Sequence, residues 1–268
     1  AKPGSNKAKF NVAGQRLFDE LSKELKFPFK RCGSLVAITG EDELEELIEL
    51  KKRGEENGLT DLSIVYKDCL KELEPNISSE IFAALFSPSG GIVSPYEMTI
   101  AFAENAASNG VKFRFNTLVK GIRKLEDSFQ IEIDDELINS KVVVNAAGLF
   151  ADEVNNWVSK NILEIRPRKG EYCLLDRTEG ELVNHTLFKL PGKMGKGVLL
   201  TQTAEGNILI GPNSFEITDK EDISTSKDGL SEVLEKAKIY VDNLPTNKII
   251  TSFSGLRAHL TLDDFVVG

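Results

Sequence analysis

Val142-Val143-Val144-Asn145-Ala146-Ala147-Gly148 is a continuous apolar run that ends in small residues, the pattern of a buried parallel strand meeting a helix N-terminus. Small side chains there let a bulky ligand approach the backbone, and the helix dipole favours a nearby phosphate. Taken alone, such a turn is equally well read as tight packing against neighbouring protein. Its surroundings sharpen the reading. Upstream, Pro95 opens a helix with Met98, Ala101, Phe102 and Ala106 on one face, and Asn109-Gly110 closes it. Residues 111–115 read as a strand, followed by short strands near 117–124, 128–133 and 136–139, with Phe129, Ile131 and Ile133 alternating. Downstream, a helix is expected from about 150 to 159. Helix, strand, meander, buried strand, small-residue turn, helix: this succession suggests the second half of a dinucleotide-binding domain.

The chain to either side follows a different pattern. Residues 8–26 carry Phe10, Leu17, Phe18, Leu21 and Leu25 at helical spacing, and Pro28 stops the run. Gly33 to Ile38 reads as a strand and Glu41 to Asn57 as an amphipathic helix. Leu62 to Lys67 and Ile81 to Phe86 are further strands. From 160 onward the pattern is β-rich, with candidate strands at 171–176, 185–189, 197–203 and 207–211. A helix follows from about 228 to 242, then strands near 248–254 and 264–267. The start at Ala1 without Met, and the stop just after an apolar strand, suggest an excised fragment.

Composition narrows the function classes. The 268 residues carry a net charge of −9, which disfavours broad binding to nucleic acid or an anionic membrane. Cys32, Cys69 and Cys173 are widely spaced and odd in number, which favours a reducing, cytoplasmic location over a disulfide framework. His185 and His259 have no ligand partner at helical spacing, so no metal site is expected. No apolar run approaches the ~20 residues of a membrane span, although peripheral attachment to the inner face of a membrane stays open.

Three places could carry chemistry. The Asn145–Gly148 turn is one. Arg166-Pro167-Arg168-Lys169 concentrates positive charge in an acidic chain and suits a phosphate or carboxylate, or else forms a solvated basic edge. Ser254-Gly255-Leu256-Arg257-Ala258-His259 ends an apolar strand with a glycine and an arginine. A buried arginine there needs a counter-ion, which either a substrate anion or a protein carboxylate supplies. There is no nucleophile elbow and no acidic neighbour to orient His185, so hydrolase chemistry is poorly supported. There is also no G-x-G-x-x-G after a strand, which a complete dinucleotide domain requires.

These stretches resemble the D-amino-acid-oxidase-like superfamily of FAD oxidoreductases, in particular bacterial glycerol-3-phosphate dehydrogenases and the L-2-hydroxyglutarate oxidases. The resemblance rests on Lys2–Ser5, Phe29–Leu35, Gly91–Glu97, Val144–Gly148, Arg168–Tyr172, Ile210–Asn213 and Ser254–Arg257, in that order along the whole chain. It implies an α/β fold: a partial FAD-binding, Rossmann-like domain intermixed with a substrate domain on a mixed, largely antiparallel sheet. It allots residues 1–29, 91–158 and 252–268 to the truncated FAD-binding domain, and 30–90 and 159–251 to the substrate domain. It places the missing glycine-rich unit ahead of Ala1.

Carried over by motif, the resemblance implies that Val119, Ala146, Ala147, Gly148 and Gly255 line the cofactor. Arg257 would bind the anionic group of the substrate, Tyr172 would face it, and His259 is one candidate base. The implied activity of the parent enzyme is FAD-dependent oxidation of sn-glycerol 3-phosphate to dihydroxyacetone phosphate, with L-2-hydroxyglutarate as the alternative substrate. The 166–169 stretch and the Lys193-Met194-Gly195-Lys196-Gly197 run favour the former, and Ile210–Asn213 fits the latter. Without the glycine-rich unit, the fragment itself is expected to lose FAD and activity, leaving a cofactor-free folded module. The electron acceptor is open, and exposed sheet edges are a route to dimers.

Overall fold

The structure, a computed structural model, describes residues 1–191, 197–260 and 264–267. The Lys193–Lys196 part of the basic run singled out above lies outside the described residues. The chain opens with α1 (Asn6–Leu25), whose N-cap Ser5 accepts from the Ala8 N–H. Asp264 also caps this end, accepting from the N–H groups of Asn6 and Lys7 at 2.9 and 2.7 Å. The strand expected at 264–267 is not formed; its first residue serves α1 instead.

Next come β1 (Phe29–Lys30), β2 (Ser34–Ile38), α2 (Leu44–Glu56), β3 (Ser63–Tyr66), α3 (Lys67–Leu73), β4 (Ala83–Ser87) and β5 (Ile92–Val93). Then follow α4 (Pro95–Ser108), β6 (Val119–Lys124), β7 (Phe129–Ile133), β8 (Glu136–Ser140) and α5 (Ala151–Asn156). The β-rich second half supplies β9 (Arg166–Leu175), β10 (Thr186–Lys189), β11 (Leu199–Gln202), β12 (Ile208–Gly211) and β13 (Phe215–Glu216). It ends with α6 (Lys227–Ala237) and β14 (Ile249–His259).

Nine strands form the main sheet, in the order β13-β9-β12-β11-β10-β2-β4-β3, with β14 on the other side of β9. Only the β10–β2 pair is parallel among the described pairings of this sheet. Period-two alternation sorts its side chains between two faces. Leu35, Ala37, Ala84, Cys173, Leu175, Leu187, Leu200, Ile208 and Ile210 point to one side and pack with Val233, Ala237 and Tyr240 from α6 and the turn after it. Ile38, Ala83 and Leu85 point to the other side and pack with Leu47 of α2. α2 covers only the β2–β4 end of that second face. The β9–β14 end is open.

β9 is longer than the sequence suggested, and β14 runs on past residue 254, paired with β9 to His259. β6, β7 and β8 form the expected meander as a separate antiparallel sheet. Two expectations fail here. Residues 111–115 and 142–144 form no strand and pair with none among the described residues. Val142 and Val144 are accordingly 70% and 84% exposed rather than buried. An apolar run signals burial only where a neighbouring strand is present to cover it.

A buried polar cluster fixes β9 against α6. Glu171, with no solvent exposure, accepts from the N–H of Ser226, the N-cap of α6, and from Asn213 Nδ2 at 2.9 Å. Asn213 Oδ1 in turn accepts from the Glu171 N–H at 2.8 Å. Gly229, in the first turn of α6, leaves the space that the carboxylate fills: a Cβ there would overlap Glu171. Gly229→Ala is therefore expected to destabilise the protein by about 1–3 kcal/mol through overpacking. Chemical denaturation checks this; a midpoint equal to wild type would mean that β9 and α6 separate freely.

Candidate active site at the β9–β14 ladder

In an antiparallel pair, directly opposite residues share a face. The register opposes Tyr172 to Phe253, Gly170 to Gly255, Arg168 to Arg257 and Arg166 to His259. The open face of the sheet thus carries an aromatic rung, a glycine rung, an arginine rung and a mixed basic rung in succession. The Tyr172 and Phe253 rings stack at 5.1 Å with an interplanar angle of 14°. Gly170 is roofed, since a Cβ on it would stand 2.6 Å from the Pro212 ring. Gly255 is open: a Cβ there would meet nothing within 4 Å. Bare backbone beside open space is where a flat ligand can approach a strand.

Arg257 is exposed and makes no hydrogen bond or ion pair among the described residues. The sequence left its counter-ion open between a substrate anion and a protein carboxylate; the side chain is exposed, and no protein carboxylate pairs with it among the described residues. Tyr172 is half-buried, and burial holds its phenol above the ordinary value, with the Arg257 charge pulling the other way. A phenol so held keeps its proton near neutrality and can donate a hydrogen bond. His259 is held below the ordinary imidazole value, first by burial and then by the charge of Arg168, with Lys7 and Arg257 adding to this and Glu216 opposing it. It lies four residues beyond Gly255 with Arg257 between, a span of roughly 13 Å along a strand.

The Asn145–Gly148 turn leads into a segment that meets β14. Asn145 closes it, with Oδ1 accepting from the Ala147 N–H at 3.2 Å and Nδ2 donating to the Ala151 carbonyl at 2.8 Å. Gly148 takes φ 58° and opens a short 3-10 turn, Gly148–Phe150, that lies against β14. Ala146, Ala147 and Gly148 are all exposed, and a Cβ on Gly148 would meet nothing within 4 Å. The structure therefore brings this turn to the strand of Gly255 and Arg257. Val119 is at the start of β6, in the separate meander sheet. Lys220 anchors the region by pairing with Asp152 at 2.8 Å and lying 5.3 Å from the Phe150 ring centroid.

Sequence reasoning did not find Phe253, Pro212 or the Glu171–Asn213 pair. Alternation along 168–173 held a usable signal, since Arg168, Gly170 and Tyr172 fall on one parity and Lys169, Glu171 and Cys173 on the other. His185, expected to lack an acidic partner near it in sequence, meets Glu74 in space, with Nδ1 and Oε1 2.8 Å apart. Glu74 also accepts from the Asn184 N–H, which ties α3 to the turn before β10. This pair belongs to the scaffold. Among the described residues no cluster of His, Cys, Asp and Glu is arranged to hold a metal ion, and no helix is long and apolar enough to cross a membrane.

An α/β fold on a mixed, largely antiparallel sheet agrees with the comparison to known families. The profile of the DAO family, described as FAD dependent oxidoreductase, matches residues 1–268, and the chain belongs to that family. Among its relatives, the glycerol 3-phosphate dehydrogenase of Caloramator mitchellensis is 46% identical over 267 residues, covering 100% of this chain and 56% of the relative. The L-2-hydroxyglutarate dehydrogenase of Escherichia coli K12 is 29% identical over 240 residues, 87% of this chain and 56% of the relative. The structure of dithionite-reduced L-alpha-glycerophosphate oxidase from Mycoplasma pneumoniae with FAD bound superposes with a TM-score of 0.89 at 29% identity. That match covers 100% of this chain and 72% of the oxidase. The chain thus spans little more than half the length of the two dehydrogenases.

The His259 environment makes a prediction about pH. Its folded value lies below the unfolded one of about 6.5, so its contribution to stability is present above that pH and is lost as pH falls through the folded value. Proton NMR of the imidazole should give a midpoint below about 6.5, and Arg168→Gln should move it upward. An unshifted midpoint in the wild type would contradict this environment.

Proposed function

We propose that the protein containing this chain oxidises sn-glycerol 3-phosphate to dihydroxyacetone phosphate, with FAD as cofactor. The observation that carries the proposal is Arg257, an unpaired guanidinium two residues from the open backbone of Gly255. The relative named glycerol 3-phosphate dehydrogenase, at 46% identity, supports the choice of substrate. The residues fit a flavin: Gly255 and Gly148 leave room for a planar group against the backbone, and Ala146 and Ala147 add no bulk. Bound FAD would accept a hydride from C2 of the substrate.

We assign the remaining roles on the same footing. Arg257 would hold the phosphate through parallel N–H···O contacts and so fix C2 relative to the ring, a proximity effect. The Tyr172 phenol, which stays protonated, would donate to an oxygen of the substrate. We place His259 at the anion end, since it lies beyond Arg257 from Gly255. Residues 1–29, 91–158 and 252–268 would belong to the cofactor side of the molecule, and 30–90 and 159–251 to the substrate side. Val119 would meet the cofactor from the meander. L-2-hydroxyglutarate is the competing substrate, supported by the E. coli relative.

The test uses the full-length protein, offered glycerol 3-phosphate and L-2-hydroxyglutarate in parallel under anaerobic conditions while flavin absorbance is followed. Bleaching by glycerol 3-phosphate is expected, and Arg257→Ala should lower kcat/KM by roughly a hundredfold or more, as for loss of one partner of a hydrogen-bonded charge pair. Bleaching by hydroxyglutarate alone would transfer the assignment to the other substrate, and a protein that binds no flavin would overturn both.

A further inference from the structure

The basic stretch 166–169 divides, side chain by side chain, into three arrangements. Lys169 turns to the α6 side of the sheet, where its Nζ meets Asp222 at 2.9 Å and Ser224 at 3.0 Å. Arg166 faces solvent and pairs through Nε with Glu164 at 3.1 Å. Arg168 stands on the open face directly opposite Arg257. Its Nη2 reaches Glu216 only at 3.3 Å, and its Nε is buried without a hydrogen-bond partner among the described residues.

Two like charges opposed across a ladder repel, and a buried N–H left unpaired carries a desolvation cost. Glu216 is the one carboxylate bonded to this rung among the described residues, so two guanidinium groups keep a net positive charge there. A ligand carrying two negative charges would cancel that excess, taking the free fork of Arg257 beside the partly exposed Arg168 side chain. A tetrahedral dianion has enough oxygens to do so from one position. A single carboxylate has one charge and two oxygens, and one arginine satisfies it. The open space at neighbouring Gly255 leaves room for the rest of such a ligand.

We propose that Arg168 is a second anion-binding residue, which with Arg257 clamps a phosphate dianion across β9 and β14 and sets a preference for phosphate over carboxylate. The proposal rests on the phosphate-ester reading above and adds a specificity determinant to it. Glu216 occupies Arg168 when the clamp is empty and competes with the incoming anion.

The test measures dissociation constants of inorganic phosphate and sulfate, as dianions, against acetate and nitrate, as monoanions, by calorimetry on the full-length flavoprotein. Arg168→Gln is expected to weaken the dianions by roughly tenfold or more, as for loss of a charge-assisted contact, and the monoanions several-fold less. Arg168→Lys should recover part of the loss. Glu216→Gln removes the competitor and should tighten the dianions, which keeps the proposal testable if Arg168→Gln fails to fold. Equal weakening of both anion classes, no change in either, or weaker dianion binding in Glu216→Gln would each overturn it. These constants do not depend on turnover. If hydroxyglutarate proved to be the substrate while the dianion preference held, the activity assignment would fall and the clamp would stand. If the wild-type protein turned over glycerol 3-phosphate without preferring dianions, the activity assignment would stand and the clamp would fall.

Discussion

The Glu171 carboxylate has no contact with solvent, and the geometry of the open face depends on how it is satisfied. A buried carboxylate without partners is costly enough to unfold a domain or to give up its charge. Here the N-terminus of α6 and the Asn213 amide supply the donors, and the dipole of α6 favours the negative charge. Lys169, next to it in sequence, is committed to Asp222 instead. The consequence is a register lock. A slip of one residue would turn Glu171 to the open face and Tyr172 into the interior. As long as the carboxylate stays with α6, Arg168, Gly170 and Tyr172 must share the other face, and the ladder to β14 sets Arg257, Gly255 and Phe253 beside them.

How far the fold was legible follows from which signals are local. The meander was readable because Phe129, Ile131 and Ile133 alternate within one strand. The helices α1, α2, α4 and α6 were readable from apolar spacing and from stops such as Asn109-Gly110. Partnering was not. Nothing within 142–144 distinguishes a covered strand from a bare one, and nothing within 249–259 says that the strand runs on to His259 beside β9. In the same way, the site motifs were visible singly, but the opposition of Arg168 to Arg257 and the Tyr172–Phe253 stack exist only through a pairing between distant segments. α3 escaped because Leu70 and Leu73 alone make too short an apolar pattern in a charged stretch.

The overall charge of −9 and the basic rung work at different ranges. An anion approaching from solution meets a repelling average field, which salt screens beyond about 8 Å at physiological ionic strength. Within that distance the arginines dominate. Capture at the proposed clamp would therefore be a short-range event. The same division explains why the net charge disfavours broad binding to nucleic acid or an anionic membrane yet leaves a small anion admissible.

Order along the chain has a further consequence for the β9–β14 pairing. The hairpins of the meander join neighbouring segments, and such contacts form quickly because little chain must be ordered to close them. Leu175 and Ile249, where β9 and β14 face each other, enclose β10 to β13 and α6 between them. Loop closure over that stretch is slower and gains nothing until the strands meet. During synthesis Arg168 leaves the ribosome long before Arg257, with its opposing strand not yet made. The arginine rung is among the late features of the sheet to acquire both its sides. A nascent chain therefore carries Arg168 without its opposing arginine until β14 has been made.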